Sequence, residues 1–194
     1  NAAVRHTVIM KRLRLLQYIF YYSLLIAWLA QPFRATAQIN AEQVLRVGQN
    51  SLYFEDYMLS IQYFNQAINA KPYLAQPYFF RAIAKLNLDD FLGAEEDATA
   101  AIERNPFIAD AYEVRGVARQ NRGKLAEAVN DYDSALKLVA KSRGLLFNKA
   151  LAQQELNLAD SAMASFNQLL QDFPNFENGY IGRARLYLQQ GDTG

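Results

Sequence analysis

From residue 41 onward the apolar side chains fall on helical faces, and those faces recur. The stretch Ser60 to Pro72, SIQYFNQAINAKP, places apolar or small residues at 60, 61, 64, 67 and 68 and stops at a proline. That spacing is one side of a helix. The pattern returns 34 residues later as AEEDATAAIERNP at 94–106, then as AVNDYDSALKLVA at 128–140 and AMASFNQLLQDFP at 162–174. Three columns persist. Ser60, Ala94, Ala128 and Ala162 are small; Phe64, Ala98, Tyr132 and Phe166 are mostly aromatic; Ala67, Ala101, Ala135 and Leu169 are apolar. Pro72, Pro106 and Pro174 close three of the stretches, and Ala140 stands in the remaining one.

The segments between them keep the same period. Their fourth positions read Val44, Tyr78, Tyr112, Leu146 and Tyr180, and their eighth read Gly48, Ala82, Gly116, Ala150 and Ala184. A small eighth residue lets two helices approach closely. Turns fall at 55–57, 89–91, 123–125 and 157–159. The pattern predicts helix–turn–helix units at 41–74, 75–108, 109–142 and 143–176, with a further first helix at 177–190. Ala98 in the aromatic column predicts looser packing in the second unit. Ala140 predicts a less sharply punctuated exit from the third.

A 34-residue helix–turn–helix with a large residue at position 4, small ones at 8 and 20, an aromatic at 24, Ala at 27 and Pro at 32 resembles the tetratricopeptide repeat. The resemblance covers 41–176 and a partial unit at 177–194. It implies an all-α fold, a right-handed superhelical solenoid of antiparallel helix pairs. It also implies that positions 2, 5, 9, 12 and 13 of the first helices line a concave groove. Those residues include Leu45, Gln49, Leu52 and Tyr53 in the first unit, and Phe79, Ile83 and Leu86 in the second. Glu113, Val117, Gln120 and Asn121 follow in the third, and Phe147, Leu151 and Gln154 in the fourth. The surface reads as largely apolar with Glu113 in its middle, and an extended apolar surface usually marks an interaction site. Some members of the family grip a C-terminal carboxylate with Lys at position 5, Asn at 9 and further cations in the next units. Leu45 and Gln49, Phe79 and Ile83, Glu113 and Val117 occupy those positions here. The resemblance therefore implies no such clamp and no chaperone-tail partner.

A basic column runs through position 7 as Arg81, Arg115, Lys149 and Arg183, with Val47 at its head. Position 23 reads Tyr63, Asp97, Asp131 and Ser165. In the repeat these positions face each other within a unit. The expectation is two structural pairs, Arg81–Asp97 and Arg115–Asp131, rather than a site for an anionic ligand. Lys149, opposite Ser165, is expected to lack such a partner.

Charge and composition narrow the function. The 194-residue chain has a formal charge of +1, but residues 38–194 hold 15 basic against 19 acidic residues, about −4. That mildly acidic body gives no support for nucleic-acid binding. There is no cysteine, and the single histidine, His6, precedes residue 38. The usual zinc ligands and nucleophile–base pairs are absent from the repeats, so no enzyme and no cofactor are expected there.

The N-terminal segment has its own pattern. Lys11, Arg12 and Arg14 precede an uncharged, mostly apolar run from Leu15 to Ala30, and Ala35-Thr36-Ala37 follows. This is the layout of a secretory signal peptide over 10–37, with cleavage between Ala37 and Gln38 and Ala35 at the −3 position. The run of 16 residues is shorter than the roughly 20 that span a bilayer. An uncleaved anchor is the competing reading, and only then is membrane contact expected. Residues 1–9 precede the first methionine and read as upstream sequence. The expectation is an exported scaffold of a bacterial periplasm or cell envelope that binds a protein or peptide partner. The alternative is the docking region of a larger exported or anchored enzyme whose catalytic domain lies beyond residue 194.

Overall fold

Each first helix stops where its fifteenth residue turns left-handed. Glu55, Asp89, Gly123 and Asn157 hold φ of 61°, 59°, 73° and 59°. At each turn the next N–H reaches back to the carbonyl at position 11. Asp56 donates to Ser51, Asp90 to Lys85, Lys124 to Arg119 and Leu158 to Gln153, all at 2.9 Å. This closure satisfies carbonyls that the helix end would otherwise orphan. Asp56 and Asp90 then cap the following helix, accepting from the Leu59 N–H at 3.2 Å and the Gly93 N–H at 2.9 Å. A three-residue turn thus serves two helices at once.

The structure, a computed structural model, describes residues 18, 20–23 and 40–191. Nine helices follow in order from residue 41: α1 (Ala41–Tyr53), α2 (Tyr57–Ala70), α3 (Ala75–Asn87), α4 (Phe91–Arg104), α5 (Ala109–Asn121), α6 (Leu125–Leu138), α7 (Arg143–Glu155), α8 (Ala159–Asp172) and α9 (Glu177–Gln190). Sequential helices pack together throughout. The odd-numbered helices also touch one another in succession, α1 with α3, α3 with α5, α5 with α7 and α7 with α9. The even-numbered helices do not touch, so the odd-numbered ones lie on the inside of the curve.

The closest approach within a unit is at position 8. A Cβ on Gly48 would lie 2.6 Å from the Phe64 ring, and one on Gly116 would lie 2.6 Å from the Tyr132 ring. The aromatic at 24 occupies the space that the glycine vacates. In the second unit Ala82 and Ala98 are both fully buried, and α3 and α4 have the most extensive contact of any helix pair. The looser packing expected from Ala98 is therefore corrected: two small residues bring the backbones together. The exit from the third unit is corrected too. α6 ends at Leu138, position 30, as α2, α4 and α8 do without exception, although Ala140 replaces the proline.

Between units the contact runs through positions 3 and 10 of the first helices. Pro77, Ala111, Leu145 and Gly179 are buried at position 3, and Ala84, Ala118, Ala152 and Leu186 at position 10. In α1 the same positions carry Gln43 and Asn50, both exposed. The outer face of α1 is thus solvated. At the other end Tyr180, Ile181 and Leu188 of α9 are 46%, 50% and 63% exposed.

The N-terminal residues form a separate unit. Residues 18 and 20–23 are helical and exposed. Ala35, Ala37 and Gln38 of the expected cleavage site, and residues 1–9, lie outside the described residues. Among the described residues no helix is long and apolar enough to cross a membrane.

Candidate functional site

The resemblance assigns the inner face to positions 2, 5, 9, 12 and 13 of the odd-numbered helices. The structure divides the expected groove residues by what they touch. Leu45 is only 7% exposed and packs with Phe64 and Ala67, so it offers no surface. This corrects its place among the contact residues: position 5 of α1 fills the core of its own unit. Val117 leans on the cluster around Ala128 and Tyr132. Phe147 is held edge-on between Phe166 and Phe176, at centroid distances of 6.4 and 5.3 Å, and Leu151 joins the same core. Gln49, Leu52, Phe79, Ile83 and Leu86 are half-buried, whereas Tyr53 is 81% exposed. Phe79 rests against Phe80, which stacks on Phe64.

Further along, the face turns polar. The Gln120 side chain donates to Glu155 at 2.9 Å, one unit on. Gln154 donates to Gln189 at 2.7 Å in the same way. The Tyr132 hydroxyl donates to the Gln120 carbonyl oxygen at 2.9 Å, which fixes the amide from below. Burial, then the charges of Glu113, Asp131 and Glu155, push the Tyr132 phenol up, so it stays a neutral donor. Asn121 is exposed and donates to the Val117 carbonyl of its own helix. The groove, expected to be largely apolar with Gln120, Asn121 and Gln154 as its polar contacts, is apolar over α1 and α3 and amide-rich over α5 and α7. The reason is position 12, which changes from Leu52 and Leu86 to Gln120 and Gln154.

Glu113 lies where these two stretches meet. It is half-buried, and its Oε1 sits 3.2 Å from where a Cβ on Gly144 would be. Among the described residues no cation lies within ion-pairing distance of it. Burial, and secondarily Asp110, raise its carboxyl above the ordinary range.

The basic column faces away from this surface, between the helix layers. Arg81 grips Asp97 with two hydrogen bonds of 2.8 and 2.5 Å, and Lys85 adds a third contact at 2.8 Å. Arg115 grips Asp131 at 2.7 and 3.1 Å, and Arg119 reaches the other oxygen at 2.8 Å. Each buried aspartate therefore holds two cations. Lys149 does find a carboxylate, contrary to expectation: Asp133 of the preceding unit lies 2.6 Å away. Ser165 donates instead to Gln153 at 2.7 Å. Position 7 generally reaches back in this way to position 25. Arg81 meets Asn65 at 2.5 Å, Arg115 meets Thr99 at 3.4 Å and Arg183 meets Asn167 at 2.9 Å. Glu95, 9% exposed, receives Arg119 at 3.1 Å, Lys124 at 3.0 Å and Arg122. Burial raises its carboxyl, but hydrogen bonds from Lys124, Arg119 and Arg122 outweigh that and hold it below the ordinary range.

No family model matches the sequence, and no curated protein does. Solved structures match it well. A MamA protein superposes with a TM-score of 0.74 at 15% identity, over 78% of this chain and 83% of that one. YrrB, a TPR protein with an unusual peptide-binding site, gives 0.72 at 11% identity over 79% of each chain. The first TPR of Spaghetti (RPAP3), bound to the HSP90 peptide SRMEEVD, gives 0.59 at 28% identity over 60% of this chain and 93% of its own. The chain folds as a TPR array.

The helix pairs of this TPR array form the right-handed superhelical solenoid of that fold. Identities this low beside such similar shapes mean that a few columns carry the architecture, while the remaining positions vary. Two features of the array escaped the sequence reading. Lys85 and Arg119 sit four residues after the position-7 cations, on the same helix face, and that spacing was the available signal. Glu95 carries no such signal, because its three cations come from 24 to 29 residues away.

Proposed function

We propose that this TPR array is an exported scaffold that holds a peptide segment of a partner protein along its inner face. The observation that carries the reading is the shelf of Leu52, Phe79, Ile83 and Leu86, half-exposed on the inner side of two packed helices. Apolar side chains fixed on rigid helices present contact area with little ordering cost on binding. The first TPR of RPAP3 is bound to a peptide, which supports peptide binding by an array of this fold. The N-terminal pattern over 10–37 supports export to the periplasm or cell envelope, with removal of the segment after Ala37. The mechanism is recognition, and the repeats supply geometry rather than chemistry.

Pull-down from an envelope extract with the full chain, read by mass spectrometry, tests the scaffold. Ile83→Glu with Leu86→Glu is expected to lose the recovered partner while the helical signal persists. Unchanged recovery would reject the inner face as the binding surface. Intact mass of the secreted chain tests export: a species beginning at Gln38 is expected, and one retaining Met10 would reject cleavage.

A further inference from the structure

The inner face concentrates the mild acidity of residues 38–194. In α3, α5 and α7, positions 2, 5, 9, 12 and 13 contain three carboxylates, Asp110, Glu113 and Glu155, and no lysine or arginine. The cations of these helices are spent elsewhere. Arg81, Lys85, Arg115 and Arg119 are folded between the layers onto Asp97 and Asp131, and Lys149 onto Asp133. Arg143, at the start of α7, lies over the Phe176 ring at 5.1 Å. Over α3, α5 and α7 the inner face therefore carries a negative potential beside an apolar shelf, and the cation of these columns, Arg185 at position 9 of α9, stands at the far end of the array.

Glu113 is the sharpest point of that pattern. Its charge is partly desolvated, stands near a like charge and, among the described residues, has no cation within ion-pairing distance to offset either cost. A carboxylate in that setting destabilises the free protein. Glycine at 144 leaves its oxygen open on the side of the next unit, where any side chain would crowd it. A cation from outside would complete the site.

We infer that the segment held on the inner face is cationic: it places apolar side chains on Ile83 and Leu86 and a lysine or arginine over Asp110, Glu113 and Glu155. The inference rests on the inner face being the peptide surface. Charge complementarity is its ground, since like charges facing across an interface suppress wrong partners. An acidic tail such as SRMEEVD, the peptide on the RPAP3 repeat, would meet carboxylates of its own sign here.

Selection of a library of short randomised peptides on the full chain tests this, with sequencing of the retained pool. Lysine and arginine are expected to be enriched, and a selected peptide to bind about tenfold more tightly than its Lys/Arg→Glu counterpart. That preference should weaken as salt rises. The triple variant Asp110→Asn, Glu113→Gln, Glu155→Gln keeps side-chain shape, and a cooperative melt at or above the temperature of the parent chain checks its fold. It should lose the enrichment while still retaining apolar peptides. A pool that is acidic or unbiased, yet abolished by Ile83→Glu with Leu86→Glu, would overturn the charge preference and leave the surface standing. A pool indifferent to all these substitutions, or no pool, would overturn both.

Discussion

At position 23 the third unit buries Asp131 between Arg115 and Arg119, whereas the fourth buries Ser165 against Gln153. The columns beside it move the opposite way. The fourth unit buries Phe166, Leu169 and Leu170 and receives Leu186 of α9, while the third buries Tyr132 and alanines at 128 and 135 and receives Leu145 of α7. One architecture is therefore held by ion pairs in its middle and by apolar volume towards its C-terminal end. The difference teaches how little the backbone asks of any one column: geometry is shared, and the source of cohesion is exchangeable. It also predicts unequal responses to the same perturbation.

Phe166→Ala should have the largest effect. The ring is fully buried, and its removal should cost about 3–5 kcal/mol, read from urea unfolding. Asp131→Ala comes next, at about 3 kcal/mol, because it leaves the Arg115 guanidinium, 15% exposed, without a carboxylate and Arg119 with Glu95 alone. If Asp131→Ala changed stability by less than about 0.5 kcal/mol, the ionic account of the third unit would fail.

Acid separates the two regions without mutation. The Glu95 carboxyl is held below its ordinary value, so its contribution is present above the ordinary carboxylate range and is lost as pH falls through the folded value. Hydrogen exchange below about pH 4 should therefore open α4, α5 and α6 before α8. Uniform loss of protection would remove the contrast. The smallest effect is expected from rebuilding the fourth unit in the manner of the third. Ser165→Asp with Gln153→Arg should change stability by no more than about 1 kcal/mol, since a buried pair roughly offsets its own desolvation.

Much of the architecture was legible because it rests on residue size at a fixed period. Gly48 opposite Phe64 and Gly116 opposite Tyr132 are steric necessities, and they are visible as columns. Position 3 was not visible, whereas position 10 repeats alanine at 84, 118 and 152. Pro77, Ala111, Leu145 and Gly179 share burial but no chemical type, because each fits a different neighbour. The inner face was legible in membership and less so in character. Sequence places Leu45 and Phe147 at position 5, but only packing tells that the first is consumed by Phe64 and the second by Phe166 and Phe176. Lys149 was misread for a related reason: its partner lies across a unit boundary, where Asp133 is not in the column that pairs Arg81 and Arg115.

The reach from position 7 to position 25 makes each unit from the second to the fourth a coupling with a plug at one end and a socket at the other, while the first, with Val47 at position 7, offers a socket alone. The sockets Asn65, Thr99, Asp133 and Asn167 differ in chemistry but all offer an oxygen, so each accepts whichever plug arrives, Arg81, Arg115, Lys149 or Arg183. A duplicated, deleted or transposed 34-residue cassette would meet a working joint on both sides. Lineages could thus lengthen, shorten or shuffle such a train in a single genetic event and still receive a folded product.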